Sequence, residues 1–400
     1  MSNFIRKRID EIAEVTKLAG FEFTKFIEYI PNGEIIAIRA LNLKNGQLVL
    51  DDVRRIDRAV SDSLPRSRLY KNDIVISYTG TVGEAAQIEE NNRFHLAPNV
   101  AKITPLKDKV NPQYLFYYIR SYEFKQQMLN YAHGSTQMTV PMKVIRELSV
   151  PIPPRIEQER IVSILEPIYK KIKENEQINN NLAEQSQAIL KRYMDSCDYT
   201  LTPLGELAEI IDCLHSKKPN SVNDTTKQLL QLNNITDSGF LDLSTKYYIS
   251  ESDYENWTRK CEIVEGDCVI TNVGRIGAVS QAPLGTHAAM GRNMTCIRLK
   301  KNKPYYSYLI TVLLSNHISK EIMKNTDEGT IMGALNVKNI PLLLFPVFSN
   351  EIMRELENTL HPIRKAIEYN YLANQTMGNL RDSLLPKLMS GELDVSNIEL

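Results

Sequence analysis

The chain has no apolar run long enough to cross a membrane. Its longest, residues 340–348, is broken by two prolines, whereas a helical span needs about 20 residues. Cysteine is sparse. Cys197, Cys213, Cys261, Cys268 and Cys296 all lie in the second half, are odd in number and contain no CxxC spacing. Reduced cytosolic thiols fit this pattern better than disulfides or zinc. There is no net charge, with 48 Lys+Arg against 48 Asp+Glu. Residues 1–155 hold the largest basic excess, 22 against 17, well short of a protein that binds nucleic acid by charge alone. If DNA is a ligand, local patches or a partner must supply the phosphate contacts. The opening MSNFIRKRID lacks an apolar core, so neither a secretory nor a transit signal is expected and the location is cytoplasmic. The motifs of many enzymes are missing: GxxxxGK[ST], HExxH, GxSxG, Cys/His metal spacing and the Asn/Asp-Pro-Pro-aromatic motif of amino-methyltransferases.

A hydrophobic content of 42% and a charged content of 24% describe a folded chain with a real core. Its most regular stretch is residues 156–195. Ile161, Ile164, Leu165, Ile168, Ile172, Ile178, Leu182, Ile189 and Leu190 follow mostly 3-or-4 spacing, predicting one amphipathic helix about 55–60 Å long. A related segment closes the chain. The two share Leu-x-Pro-Ile (Leu165, Leu360) and Leu-Ala-x-Gln (Leu182, Leu372). Pro167 and Pro362 are expected to kink or interrupt them. Counted from proline to Leu-Ala-x-Gln, the second helix reads five residues shorter.

The globular parts repeat too. Ile9 to Val15 matches Leu204 to Ile210 at an offset of 195, and Lys71 to Gly83 matches Glu265 to Gly277 at 194. Asn99 pairs with Asn293, Tyr114-Leu115 with Tyr308-Leu309, and Lys143-x-Ile145 with Lys338-x-Ile340. One spacing held over about 170 residues is a tandem duplication rather than a solenoid. The expected fold class is α+β: two mixed α/β domains, 1–155 and 198–348, separated by long helices over 156–197 and 349–400. Within the first domain, extended segments are expected at residues 33–43 and 73–78, and a helix over 111–130 opened by Asn111-Pro112. If the helices pair antiparallel, the chain has a pseudo-twofold axis and can read two unlike half-sites, as dimeric DNA-binding proteins read two like ones. The helices would then set the spacer between them.

These residues resemble the specificity subunit of a type I restriction-modification system, over essentially the whole chain. The carriers are Val150-Pro-Ile-Pro-Pro154 followed by Ile156-Glu-Gln-Glu-Arg-Ile-Val162, the G-D-x-V-I-x-x-x-G-x-x-G pattern of the second half with its counterpart Asn72 to Gly83, Gly134-Ser-Thr-Gln137, and the ending Leu385-Pro-Lys-Leu-Met-Ser-Gly-Glu392. The resemblance implies two target-recognition domains and an antiparallel coiled coil that docks two methyltransferase subunits, with restriction subunits joining for cleavage. It also implies double-stranded DNA as ligand, no membrane, and no cofactor in this chain; S-adenosylmethionine, ATP and Mg would belong to the partners. The second helix departs from the pattern, since Phe345-Pro-Val-Phe-Ser-Asn-Glu351 lacks the Pro-Pro and Glu-Gln letters. That puts equal docking surfaces in question.

No catalytic or metal residues are expected. Candidate DNA contacts are the two glycine turns, Ser77, Tyr78, Thr79, Gly80, Thr81 and Gly83 in one half, and Thr271, Asn272, Gly274, Arg275 and Gly277 in the other. Glycine lets backbone N–H groups approach phosphate, while hydroxyls, Asn272 and Arg275 can donate to phosphates or base edges. The plain alternative is a tight turn between strands with glycine at positive φ. Ser135, Thr136, Gln137 and Thr330 are further candidates. Basic clusters (Arg54, Arg55, Arg58, Arg66, Arg68 and Lys71; Lys300, Lys301 and Lys303) suit phosphate neutralisation or a solvated face. Asp73 and Asp267 recur at strand starts and read as structural. Asn175 and Asn370, at an offset of 195, can fix helix register. The rival to a DNA-recognition subunit is a protein–protein scaffold with two related binding domains.

Overall fold

The computed structural model describes residues 4–134, 137–301, 303–327 and 334–398. It divides into two units, Met1–Lys170 with Met377–Leu400, and Lys171–Thr376. Both are mixed α/β and share one plan. In the first, the strand Ile5–Arg8 pairs antiparallel with Ser149–Ile152, tying the start of the globular half to its end. In the second, Thr200–Pro203 pairs with Leu344–Val347 in the same way. A one-turn helix follows, Ile9–Ile12 or Leu204–Leu207.

A four-stranded antiparallel sheet comes next. Its order is Ala13–Lys17, Val100–Pro105, Ile74–Ser77, Ala85–Gln87 in the first unit, and Ala208–Asp212, Met294–Leu299, Cys268–Thr271, Val279–Gln281 in the second. Successive side chains of a strand face opposite ways, and here both faces are covered. Ile74 and Ile76 join the core shared with the helices, while Val75 joins a core with Ile36, Ile38 and Leu96 of a second sheet. Cys268, Ile270 and Val269 divide likewise. The unbroken apolar runs at these strands are thus explained by two-sided burial. The second sheet contains one parallel pair in each unit, Ile35–Ile38 with Phe94–Leu96 and Gln228–Leu229 with His287–Ala289.

A further repeat follows each of these parallel strands at a different offset. The Arg39 N–H donates to Asn42 Oδ1 (3.0 Å), and Asn42 Nδ2 donates to the carbonyls of Val49 and Asp52. The Gln231 N–H donates to Asn234 Oδ1 (2.6 Å), and Asn234 Nδ2 donates to those of Asp242 and Thr245. Each buried asparagine closes a loop with its own carboxamide.

The helix expected over 111–130 is two helices, Pro112–Ile119 and Tyr122–Asn130. Asn111 caps the first as expected, but Ser121 Oγ accepts from the Phe124 N–H (3.2 Å) and starts a new one. Tyr114 and Tyr308, matched in sequence, also match in contact. Tyr114 Oη donates to the Pro151 carbonyl at 2.7 Å, and Tyr308 Oη donates to that of Pro346.

Two expectations about the long helices are corrected. Arg155–Ser196 (42 residues) and Asn350–Ser390 (41 residues) run through Pro167 and Pro362 without interruption. A proline removes one N–H and crowds the preceding turn; here Leu165 and Leu360, two residues earlier in each helix, are fully buried and hold that turn in place. Nor is the second helix five residues short. Leu-Ala-x-Gln is a chance match of common helix formers, since the structural equivalence keeps the offset of 195. Within the second unit it appears as a ladder. Asn175 Nδ2 donates to Asn374 Oδ1 (2.8 Å), and Asn374 Nδ2 to the Ile172 carbonyl (3.2 Å). With the helices exchanged, Asn370 Nδ2 donates to Asn179 Oδ1 (2.9 Å), and Asn179 Nδ2 to the Ile367 carbonyl (3.3 Å). Ascending numbers on one helix meet descending numbers on the other, so the helices pair antiparallel there.

The missing Glu-Gln letters have a local reason. In the first unit, Gln158 is buried and accepts from the Asn111 N–H (2.8 Å) at the start of the tyrosine helix. In the second, Glu357 serves that helix start, accepting from the N–H groups of Ser307 (3.1 Å) and Tyr308 (2.9 Å).

Candidate nucleic-acid interface

Each glycine turn joins two antiparallel strands, and the two turns are built alike. Ser77 Oγ donates to the Thr81 carbonyl and accepts from the Glu84 N–H (3.1 Å). Thr271 Oγ1 donates to the Arg275 carbonyl and accepts from the Ala278 N–H (3.1 Å). Gly80 and Gly83, with φ of 82° and 88°, and Gly274 and Gly277, at 77° and 75°, take the left-handed conformation that closes the turns. The hydroxyls of Ser77 and Thr271, expected to face DNA, are therefore buried and pinch the turn instead.

Both turns are also clamped from two sides. The N–H groups of Tyr78 and Asn272 donate to the carbonyls of Asn99 (3.1 Å) and Asn293 (2.9 Å), the two matched asparagines at positive φ. The carbonyls of Tyr78 and Asn272 accept from the N–H groups of Val140 (2.8 Å) and Leu335 (2.9 Å). In the first unit Gly80 N–H also donates to the Met138 carbonyl (2.9 Å), and the hydroxyls of Thr79 and Thr139 meet at 3.3 Å. In the second, the buried Asn272 carboxamide donates to the Leu335 carbonyl and accepts from Thr295 Oγ1 (3.0 Å).

The expected contacts therefore separate. Ser77, Thr79, Gly83, Thr271 and Asn272 are buried, and Gly277 is half-buried. Tyr78 is half-buried, with its phenol pushed up by burial and Lys17 5.4 Å from its ring. Exposed are Gly80, Thr81 and Gln137 in one unit, and Gly274 and Arg275 in the other. Gln137 is brought to the first turn, its Nε2 lying 3.5 Å from where a Gly80 Cβ would be. Arg275 donates to the Ile235 carbonyl (3.1 Å) and pairs with Asp237. Ser135, Thr136 and Thr330 lie outside the described residues.

Comparison with known proteins gives one family. A family model described as the type I restriction modification DNA specificity domain matches residues 1–184. The chain is 20% identical over 421 residues to a putative type I restriction enzyme specificity subunit, MjaX, of Methanocaldococcus jannaschii, covering 98% of this chain and 97% of the relative. It is 26% identical over 147 residues to the EcoBI specificity subunit of Escherichia coli, covering 36% of this chain but only 31% of that protein. The crystal structure of a type I system S subunit from M. genitalium shares the fold, with a TM-score of 0.53 at 15% identity over 97% of this chain and 96% of that one. Over most of its length this chain is similar to type I specificity subunits.

In this chain the basic clusters are partly neutralised. Arg58 pairs with Glu34, Arg68 with Asp62, and Arg55 donates to the Gly33 carbonyl. Arg54, Arg66, Lys71, Lys301 and Lys303 make no ion pair among the described residues, while Lys300 donates to the Gly205 carbonyl. Asp73 and Asp267 hold structural bonds. Asp73 accepts from Thr104 Oγ1 (2.5 Å), and Asp267 takes two bonds from Arg298. Two trios could offer metal ligands, Asp212–Cys213–His215 and Cys261–Asp267–Cys296; in the second, the guanidinium of Arg298 already occupies the carboxylate. Among the described residues no helix is long and apolar enough to cross a membrane.

Proposed function

We propose that each half of this chain reads one half of an asymmetric, bipartite DNA site, and that the long helices set the spacer and dock methyltransferase subunits. The observation that carries this is the pair of glycine turns, alike in the bonds that pinch them and in the two backbone clamps, and different where exposed: Thr81 and Gln137 in one, Arg275 in the other. A framework repeated with different outward side chains suits one reading device applied to two sequences. The chain then supplies sequence choice alone. Methyl transfer with S-adenosylmethionine, and any ATP- and magnesium-dependent cleavage, belong to methyltransferase and restriction partners.

The test is an exchange of residues 1–155 for the corresponding half of a relative, followed by genome-wide mapping of methylated bases. One half of the methylated motif should change and the other stay. Changes in both halves would show that the two do not read independently. An unaltered motif would move the reading elsewhere, and absence of DNA binding by the wild-type complex would favour the scaffold.

A further inference from the structure

The second unit holds a pocket of about 300 Å³ outside the glycine turns. Its polar lining is Lys218, Gln231, Asn233, Arg292 and Asn293, above Leu229 and Trp257. All five polar side chains can donate N–H groups, two are cationic, and no carboxylate lines the pocket. We propose that this pocket grips the DNA strand in the second half-site, taking a backbone phosphate on Arg292 and Lys218 over a floor that the buried Leu229 and Trp257 support. The proposal rests on the DNA-recognition reading above and assigns it a place.

Three observations carry it. Three other arginines of this unit are engaged, Arg275 with Asp237, Arg298 with Asp267, and Arg364 with Gln281 and the Gly239 carbonyl; Arg192, Arg259 and Arg354 are not, among the described residues, but none of them lines the pocket. Arg292 is exposed and makes no ion pair or hydrogen bond among the described residues. Gln231 Nε2 is turned to the Leu229 and Leu230 carbonyls, but an unpaired guanidinium beside the exposed carboxamide of Asn293 is a ready phosphate site. Lys218 is held over the Tyr247 ring, its Nζ 3.7 Å from the centroid, with Tyr247 Oη donating to the Pro219 carbonyl.

The backbone also presents Arg292 deliberately. Gly291 lies so close to the preceding strand that a Cβ there would come within 2.1 Å of the Leu230 carbonyl oxygen, and Asn293 is left-handed (φ 63°). The tight Gly291-Arg292-Asn293 turn leaves the arginine side chain outside. The same turn supplies the Asn293 carbonyl that accepts from Asn272, so the pocket rim and the glycine turn share a hydrogen bond and form one surface. In the first unit the matching turn reads Ala97-Pro98-Asn99, with no charge, so the grip belongs to the second half-site alone.

Binding of the full complex to a duplex bearing its methylated motif, measured across a salt series, tests this. Arg292→Ala and Lys218→Ala should each weaken binding about tenfold at moderate salt and lower the slope of log affinity against log salt by about one. Thermal midpoints should be unchanged, because both side chains are exposed. Arg292→Lys should keep most of the affinity. Trp257 is the chain's one tryptophan, so its emission in the isolated full chain should respond to duplex in the wild type and far less in Arg292→Ala. Wild-type affinity and salt slope in both alanine variants would overturn the pocket while leaving DNA recognition standing. A wild-type complex that binds no DNA would remove the underlying reading instead.

Discussion

Asn175 and Asn374 join the two long helices of the second unit through a carboxamide–carboxamide hydrogen bond of 2.8 Å, and Asn175 is 1% exposed. Its own Oδ1 has no partner among the described residues. A buried amide that is only partly satisfied costs stability, and the return is register.

Asn374→Leu should therefore destabilise the second unit by about 1–3 kcal/mol, because it strands the Asn175 Nδ2. Joint replacement of Asn175 and Asn374 by leucine should recover most of that loss, since no donor is left unpaired. Denaturant midpoints of the two variants check this. A double variant at least as unstable as the single one would show that the ladder stabilises rather than specifies.

Thr271→Val removes both bonds that pinch the second glycine turn and should cost about 1–3 kcal/mol. Arg275 loses its backbone support with it. Methylated-base mapping should show relaxed recognition in the second half of the motif only. Ser77→Ala should act on the first half only, and crossed or global effects would sever the link between turn and half-site.

Burial holds the His95 imidazole below its usual 6.5; Nδ1 lies 2.8 Å from the Leu96 carbonyl oxygen, and Nε2 has no hydrogen-bond partner among the described residues. The unfolded chain accepts a proton near the usual value and the folded chain resists it. The folded state thus loses stability as pH falls through and below about 6.5, and keeps it above. Urea midpoints of the wild type should drop more steeply than those of His95→Gln between about pH 7 and about pH 5. Parallel curves would place the titration elsewhere.

Arg364 is half-buried, its guanidinium carbon 3.4 Å from the centroid of the Phe240 ring, with Nε donating to Gln281 Oε1 (2.9 Å), and desolvation lowers its affinity for its proton. A lysine cannot make both bonds and lie flat on the ring. Arg364→Lys should lower the unfolding temperature of the second unit, read by calorimetry, with the first unit's transition unmoved. A single shifted transition would mean that the units do not unfold separately.

Much of this was legible in the letters. The repeat was readable because Asn99 and Asn293, Tyr114 and Tyr308, and the glycines each answer a backbone demand that tolerates few substitutes. Asn175 and Asn370 were visible as a pair, but Asn179 and Asn374 were not. Antiparallel pairing joins each asparagine to the one four residues further along the other repeat, a relation that no single offset displays. The loops closed by Asn42 and Asn234 were hidden by an offset of 192 where 194 and 195 rule elsewhere. The inward turn of Ser77 and Thr271 was invisible because a hydroxyl after a strand suits a ligand or its own turn equally well. Arg292 gave no signal at all: an isolated arginine shows whether it is paired only when its surroundings are known.

The ladder has a historical reading. Each rung takes one letter from each repeat, and both repeats spell the same Ile, Asn, Asn at the same spacing. Any half that keeps those three letters carries a complete male and female fitting. Lineages can then trade front halves by recombination without renegotiating the joint, so a new recognition specificity can arise in a single genetic event. Outward-facing residues could drift for new sequences so long as those three letters are kept.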